Sequence, residues 1–149
     1  MMNNHPQLYE SLERELDIHG AVFTKTHGKS MKPLLCENRD AVLLKRPDRE
    51  IRKYDVVLYN DSAGRHVLHR VIGEKGDVFI IRGDNTYRRE LVSKEAIVAY
   101  MDSFVRNGKH RTHNSFGYRL YSRAWNFAYP LRFISYKFLV AIKKIFKRK

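Results

Sequence analysis

The chain has 149 residues, 43% of them hydrophobic, and its formal net charge is +13. This is the length of one ordinary domain with enough apolar residues for a core, and the low glycine and proline content excludes collagen-like and largely disordered proteins. The single cysteine, Cys36, excludes an internal disulfide and a zinc site built from several cysteines. Neither a long apolar run nor a secretory signal is visible, so we expect a cytoplasmic location.

The positive charge is concentrated in the C-terminal part of the chain. All 16 Asp and Glu come before residue 103, whereas 12 of the 29 Lys and Arg lie in residues 106–149. The first 105 residues are therefore nearly neutral. Any function of the net charge belongs to the C-terminal segment and not to the protein as a whole.

The N-terminal residues have the pattern of a helix. Leu8, Leu12 and Leu16 recur every four residues, which places them on one face of a helix. Gly20 suits the end of that helix, because a glycine tolerates the left-handed conformation that commonly follows the last turn. The sequence therefore predicts an N-terminal helix within residues 1–20.

From residue 21 the pattern changes to short segments rich in Val, Ile, Phe and Tyr. Turn-forming Gly, Pro, Asp and Asn residues separate these segments, as is typical of strands in a compact β domain. Residues 96–105 fit a strand or a helix, and we expect a strand. The fold class expected from the sequence is thus mostly β, with an N-terminal helix, a β body at residues 21–105 and a basic, aromatic-rich helical tail at residues 106–149.

The end of the tail has the pattern of a basic amphipathic helix. Five apolar residues are spaced for one helical stripe, whereas most of the lysines and arginines fall elsewhere on the helical wheel. The stripe residues are Leu131, Ile134, Phe138, Ile142 and Ile145. We expect residues 131–149 to lie on an anionic membrane surface. The alternatives are nucleic-acid binding, docking to a partner protein, and a helix packed on the β body with a solvated basic face.

Four short motifs stand in order along the body. They are Gly-Lys-Ser-Met-Lys-Pro at residues 28–33, Tyr-Asp-Val-Val-Leu-Tyr at residues 54–59, Leu-His-Arg-Val-Ile at residues 68–72 and Arg-Gly-Asp-Asn at residues 82–85. Each motif alone is a weak signal, because a serine before a proline, a histidine in a strand and an aspartate after a glycine are common structural features. The order and spacing of the four motifs are more specific than any one of them.

Together the motifs resemble those of the type I signal peptidase and LexA-type serine protease superfamily over about residues 24–105. In that superfamily the nucleophile lies in Ser-Met-x-Pro and the general base precedes Arg-Val. Signal peptidases of the endoplasmic-reticulum and archaeal-like branch have histidine as the base, and His69 stands at that position here. The resemblance therefore implies a compact β catalytic domain with Ser30 as nucleophile and His69 as base. A hydroxyl needs such a base to attack a carbonyl, and a neutral imidazole suits this role near pH 7.

Two carboxylates are candidates for orienting the base. Asp84 lies in the Gly-Asp-Asn motif, and Glu90 stands where the histidine branch carries an aspartate. We expect Glu90 to orient His69, with Asp84 holding the loop or sharing the role. The Ser30 N–H is the expected oxyanion donor. Gly28 occupies the position at which many signal peptidases carry a second, serine donor, so that second donor is not identified.

The sequence thus predicts a serine endopeptidase that processes a peptide or precursor protein, with peripheral association to a membrane. The remaining histidines show no metal-ligand spacing, so we expect neither a metal nor another cofactor. The alternative is a non-catalytic binding module of the same fold whose basic tail binds nucleic acid or membrane. An active-site probe that reacts with serine distinguishes an enzyme from such a module.

Overall fold

The computed structural model describes the backbone of residues 5–146 and the side chains of residues 11–145. This part of the chain contains three α-helices, eight β-strands and one short 3-10 helix, Lys94–Ala96. In chain order the α-helices and strands are α1 (His5–His19), β1 (Ala21–Lys25), β2 (Ala41–Lys45), β3 (Val56–Asn60), β4 (His66–Lys75), β5 (Val78–Arg82), β6 (Glu90–Ser93), β7 (Ile97–Arg106), β8 (Lys109–Thr112), α2 (Phe116–Phe127) and α3 (Tyr129–Phe146). The mostly β class, with an N-terminal helix and a helical C-terminus, is confirmed.

All strands pair in antiparallel fashion in one sheet. Its order is β1-β2-β7-β3-β4-β5-β6, and β8 pairs with β7. The strand expected at residues 96–105 is β7, which joins β2 to β3. The two candidate catalytic residues therefore come from separated parts of the sheet. His69 lies on β4, and Ser30 lies in the long connection between β1 and β2.

The sheet has a hydrophobic core on each face at β3. Because side chains alternate along a strand, Val56 and Leu58 face one core while Val57 and Tyr59 face the other. Leu16 of α1 is buried in the first of these cores, as the leucine spacing predicted. We refer to the two sides as the α1 face, which holds Val56, and the Tyr59 face.

The C-terminal tail begins as part of the sheet. Strand β7 continues to Arg106 and β8 pairs with it, so the β body extends beyond residue 105, where the sequence analysis placed its end. Tyr118 of α2 is buried in the core on the α1 face. Two helices follow β8 where one amphipathic helix was expected, and residues 147–149 of the predicted tail lie outside the described residues. None of the helices within residues 5–146 combines the length and apolarity needed to cross a bilayer.

Candidate active site

Ser30 lies in a turn that is anchored in the core. Three hydrophobic residues shortly after Ser30 are buried on the α1 face of the sheet: Met31, Leu34 and Leu35. Burying three side chains of this size gives roughly 1.5–3 kcal/mol each, which fixes the backbone around the half-buried Ser30. The Ser-Met-x-Pro motif identified Ser30 in the sequence. The fold shows that buried neighbours fix its position.

His69 lies on the Tyr59 face of the sheet. In the antiparallel register Val57 is opposite His69, and residues directly opposite each other share a face. On the other side of β4, Arg70 is opposite Arg82, which brings the next residue, Gly83, beside His69. The histidine side chain is only 7% exposed.

Gly83 is the point at which the Ser30 turn and His69 come together. A Cβ atom at this position would lie 2.7 Å from the Ser30 carbonyl oxygen and 3.0 Å from His69 Nε2. The Ser30 backbone and the imidazole therefore adjoin the same methyl-sized space. Within residues 5–146 no hydrogen bond joins the Ser30 hydroxyl to His69. Hydrogen bonds of this kind are often long in free enzymes and shorten when substrate binds.

The second ring nitrogen of His69 contacts a tyrosine. Tyr59 Oη lies 3.2 Å from His69 Nδ1 and donates its proton to Glu90 Oε2 at 2.7 Å. Because the tyrosine has only one proton, its oxygen must accept the bond from Nδ1–H. These two hydrogen bonds assign the neutral histidine tautomer with a hydrogen on Nδ1. The Nε2 lone pair then lies beside Gly83 and the Ser30 segment.

The surroundings of His69 favour its neutral form. Burial lowers the pKa of His69 below its ordinary value, and the negative charges of Glu90 and Asp84 offset only part of that shift. Burial and the hydrogen bond to Glu90 raise the pKa of Tyr59, so its hydroxyl stays protonated. At neutral pH the imidazole is therefore uncharged and able to accept a proton on Nε2.

The two candidate carboxylates have different surroundings. Glu90 reaches His69 through Tyr59, and its other oxygen, Oε1, lies 3.8 Å from His69 Nδ1. Asp84 instead forms a paired hydrogen bond with the fully buried Arg70, at 2.7 Å and 2.8 Å, and also accepts from Tyr121 at 2.9 Å. Glu90 is therefore placed to orient the histidine indirectly, and Asp84 is placed to hold the loop.

The amide groups around Ser30 define the available oxyanion donors. The Gly28 N–H donates to Glu37 Oε1 at 3.1 Å, so it is already engaged. The Ser30 N–H has no acceptor within the part of the chain that the structure describes. The Ser30 amide is therefore able to donate to a developing oxyanion.

A cavity of about 340 Å³ opens beside Ser30. Its walls are largely apolar, and they include Leu12, Met31, Leu35, Val42, Leu44, Leu58 and Leu68. Residues 24–28, the end of β1 and the chain leading to Ser30, form one rim. Because β1 lies at the edge of the sheet, an extended peptide that pairs with it would run along this rim.

Sequence reasoning did not identify Tyr59 as part of the site. The signal was present, because Tyr59 ends the second motif and alternation along β3 places it on the same face as Val57, opposite His69. The site also includes contacts from the C-terminal helices to the backbone of Asp84. The residue pattern of α2 and α3 gave no indication that they contact the loop at Asp84.

Other chemically capable residues lie outside this arrangement. His66 interacts with Glu13 of α1, at 2.7 Å, and Cys36 is half-buried with a free thiol. Residues 5–146 contain no group of three or more His, Cys, Asp or Glu that could hold a metal ion. Comparisons of the chain with protein-family models, with curated proteins and with solved structures found no match.

Proposed function

We propose that the protein is a serine endopeptidase in which Ser30 is the nucleophile and His69 is the general base. The observation that supports this assignment most strongly is the chain from Glu90 through Tyr59 to His69, which leaves Nε2 unprotonated beside the Ser30 turn. A histidine kept only for structure would not need a defined tautomer whose free nitrogen faces a serine-bearing loop.

The proposed reaction has two stages. Ser30 Oγ attacks the carbonyl carbon of the peptide, and its proton passes to His69 Nε2 while the Ser30 N–H stabilises the oxyanion. The imidazolium then gives that proton to the departing amine, which leaves an acyl ester on Ser30. Water, activated by the same nitrogen, hydrolyses the ester and regenerates the serine. Glu90, acting through Tyr59, stabilises the imidazolium in both stages.

The substrate we propose is an extended segment of a peptide or precursor protein. The apolar cavity beside Ser30 accommodates side chains near the scissile bond, and the edge strand β1 offers backbone groups for pairing. Main-chain pairing would supply affinity, while the cavity would select the side chain that enters it.

A fluorophosphonate probe that labels activated serines tests the catalytic assignment. We expect the wild-type protein to be labelled, Ser30→Ala to abolish labelling and His69→Ala to slow it by roughly 10²–10⁴-fold. Ser135→Ala and His110→Ala, at exposed positions on α3 and β8, are the matched controls and should react like the wild type. A wild-type protein that is not labelled would favour the non-catalytic binding module.

We also propose that the protein acts at an anionic membrane surface through α3. Most of the apolar stripe of this helix faces outward: Leu131, Ile134, Phe138 and Ile145 are all at least 65% exposed, whereas Ile142 is half-buried. The helix contacts the body with another face, where Tyr129, Phe133 and Tyr136 surround Tyr87. An outward apolar stripe flanked by lysines is typical of helices that lie in a bilayer interface.

Co-sedimentation with lipid vesicles tests the membrane proposal. We expect binding to vesicles that contain phosphatidylserine, weaker binding to purely phosphatidylcholine vesicles, and a decrease with added salt. Single-stranded DNA is the competing ligand. Tight, salt-sensitive binding to DNA without binding to anionic vesicles would contradict the membrane proposal and support nucleic-acid binding by the tail.

A further inference from the structure

The two C-terminal helices hold one backbone oxygen next to the candidate active site. The Asp84 carbonyl accepts a hydrogen bond from Trp125 Nε1 of α2 at 2.8 Å and from Arg132 Nη2 of α3 at 2.6 Å. The Arg132 guanidinium also lies over the Trp125 ring, 3.7 Å from its centre, so each donor supports the position of the other. Two side chains from two helices thus converge on one acceptor.

The other end of the same peptide group contacts the nucleophile's turn. The amide that follows the Asp84 carbonyl is the N–H of Asn85, which donates to the Ser30 carbonyl at 2.7 Å. The Asn85 side chain adds a bond from Nδ2 to the Lys29 carbonyl at 3.1 Å. The Asp84–Asn85 peptide group therefore lies between the C-terminal helices and Ser30.

A peptide group transmits position because it is planar and rigid. Fixing the carbonyl oxygen fixes the direction of the N–H, since rotation about the bond between them has a barrier of about 18–20 kcal/mol. Donors at the oxygen also polarise the amide and strengthen the bond that its N–H donates. Gly83 permits this close approach, because a methyl group there would collide with the Ser30 carbonyl.

We propose that Trp125 and Arg132 are positioning residues for the nucleophile, acting through the Asp84–Asn85 peptide group. Neither residue touches the reacting atoms. Their role is to hold the peptide that aligns Ser30 with His69, which makes the C-terminal helices part of the catalytic unit. This inference rests on the proposed serine endopeptidase activity and adds a function for the tail that is separate from membrane binding.

The test uses Trp125→Phe, which keeps an aromatic ring but removes the indole N–H, and Arg132→Met, which removes the guanidinium donor. Arg123→Met is the matched control, because this exposed arginine of α2 has no side-chain hydrogen bond or ion pair within residues 5–146. Two quantities are measured in the full-length protein. One is the rate constant of fluorophosphonate labelling at Ser30, and the other is the hydrogen-exchange rate of the Asn85 amide.

We expect each of the two variants to slow labelling by roughly tenfold to a hundredfold and to accelerate Asn85 exchange, with thermal stability close to that of Arg123→Met. We expect Arg132→Lys, which retains one donor, to recover part of the labelling rate. Labelling within about twofold of the control, or an unchanged Asn85 exchange rate, would overturn the inference. A wild-type protein that the probe does not label would instead overturn the proposed function, so the two failures are distinguishable.

Discussion

The chemistry proposed for this protein depends on which nitrogen of one histidine carries a hydrogen. His69 is buried, and its Nδ1 has Tyr59 as partner, which in turn donates to Glu90. A tyrosine between the histidine and the carboxylate differs from a direct hydrogen bond, because the hydroxyl fixes the tautomer while the nearer Glu90 oxygen lies 3.8 Å from Nδ1. In the proposed reaction the same imidazole is the base near neutral pH.

Replacing the bridging tyrosine should impair catalysis more than folding. In Tyr59→Phe the Nδ1–H loses its acceptor, so the imidazole populates the wrong tautomer and we expect labelling of Ser30 to slow by roughly tenfold to a hundredfold. Tyr100→Phe is the matched control, since Tyr100 is buried on the same face and donates to Asp48 at 3.0 Å. Both variants should lose about 1–3 kcal/mol of stability. An equal effect of both on labelling would contradict the role assigned to Tyr59.

The pH dependence follows from the lowered pKa of His69. Only the neutral imidazole accepts the serine proton, so labelling should rise with pH, with a midpoint below the ordinary value of 6.5. Glu90→Gln should move this midpoint further down, because the Glu90 charge raises the pKa of His69. A stopped-flow pH profile measures both midpoints. A wild-type midpoint at or above 6.5 would contradict the electrostatic assignment.

The same shift has a consequence for stability. Below about pH 6.5 the unfolded chain binds a proton at His69 more readily than the folded protein does, so the free energy of unfolding should fall as the pH drops through and below this value. The stability gained from neutral His69 is present above pH 6.5. The His69→Gln variant should not show this pH dependence. Urea unfolding of both proteins between pH 5 and 7 measures it, and parallel pH curves for the two would argue against a lowered pKa.

At the scale of elements, the site forms where the end of β5 passes between the Ser30 turn and β4. Gly83 follows β5 and lies beside His69. A Cβ atom at Gly83 would be only 2.7 Å from the Ser30 carbonyl oxygen. The glycine is required here for close approach and not for an unusual backbone angle. Removing the side chain at this one position allows two segments, about 40 residues apart in sequence, to meet.

We expect Gly83→Ala to separate the nucleophile's turn from the base. The added methyl group would lie 2.7 Å from a backbone oxygen, so the turn must shift, at a cost of about 1–3 kcal/mol in stability and most of the labelling. Gly73→Ala is the control, because its Cβ would be 3.6 Å from a side-chain methyl, an ordinary contact. The two variants are compared by their thermal unfolding midpoints and by their rates of Ser30 labelling. Wild-type labelling of Gly83→Ala would contradict the close approach.

At the scale of the whole molecule, the excess positive charge and the candidate residues Ser30 and His69 occupy different parts of one structure. The nearly neutral β body holds Ser30 and His69, and the basic tail wraps back onto it through α2 before α3 presents its apolar stripe outward. Arg70, buried between the sheet and α2, joins the two parts by bonding Asp84 as well as Tyr118 and Ser122. The tail is thus docked on the body through α2, while the apolar stripe of α3 stays exposed to solvent.

The lysines of α3 should set the affinity for anionic vesicles. Since each contributes about 1 kcal/mol near an anionic leaflet, replacing Lys143 and Lys144 together by Gln should weaken binding by roughly tenfold to thirtyfold. Lys53→Gln and Lys75→Gln together remove the same charge from exposed positions of the body and form the control. Sedimentation at constant ionic strength compares the two double variants. Equal weakening would indicate a general charge effect and contradict docking through α3.

Local patterns in the sequence predicted most of the elements. Leucine spacing predicted α1, and short apolar segments separated by turn residues predicted a mostly β body, because alternation and helical periodicity are properties of neighbouring residues. The end of that body was placed too early, at residue 105. The pairing of β8 with β7 is set by contacts between strands and has no signature in β8 itself, which is exposed and polar.

The sequence by itself determined that a serine, a histidine and two acidic residues stand in a defined order, and that the charge lies in the tail. Only the tertiary structure decided which groups meet: Tyr59 came between His69 and Glu90, Asp84 paired with Arg70, and two tail helices reached the Asp84 carbonyl. These contacts depend on strand register and on how α2 and α3 dock against the sheet. Such arrangements are fixed by the sum of many distant contacts, so no short segment of the chain encodes them.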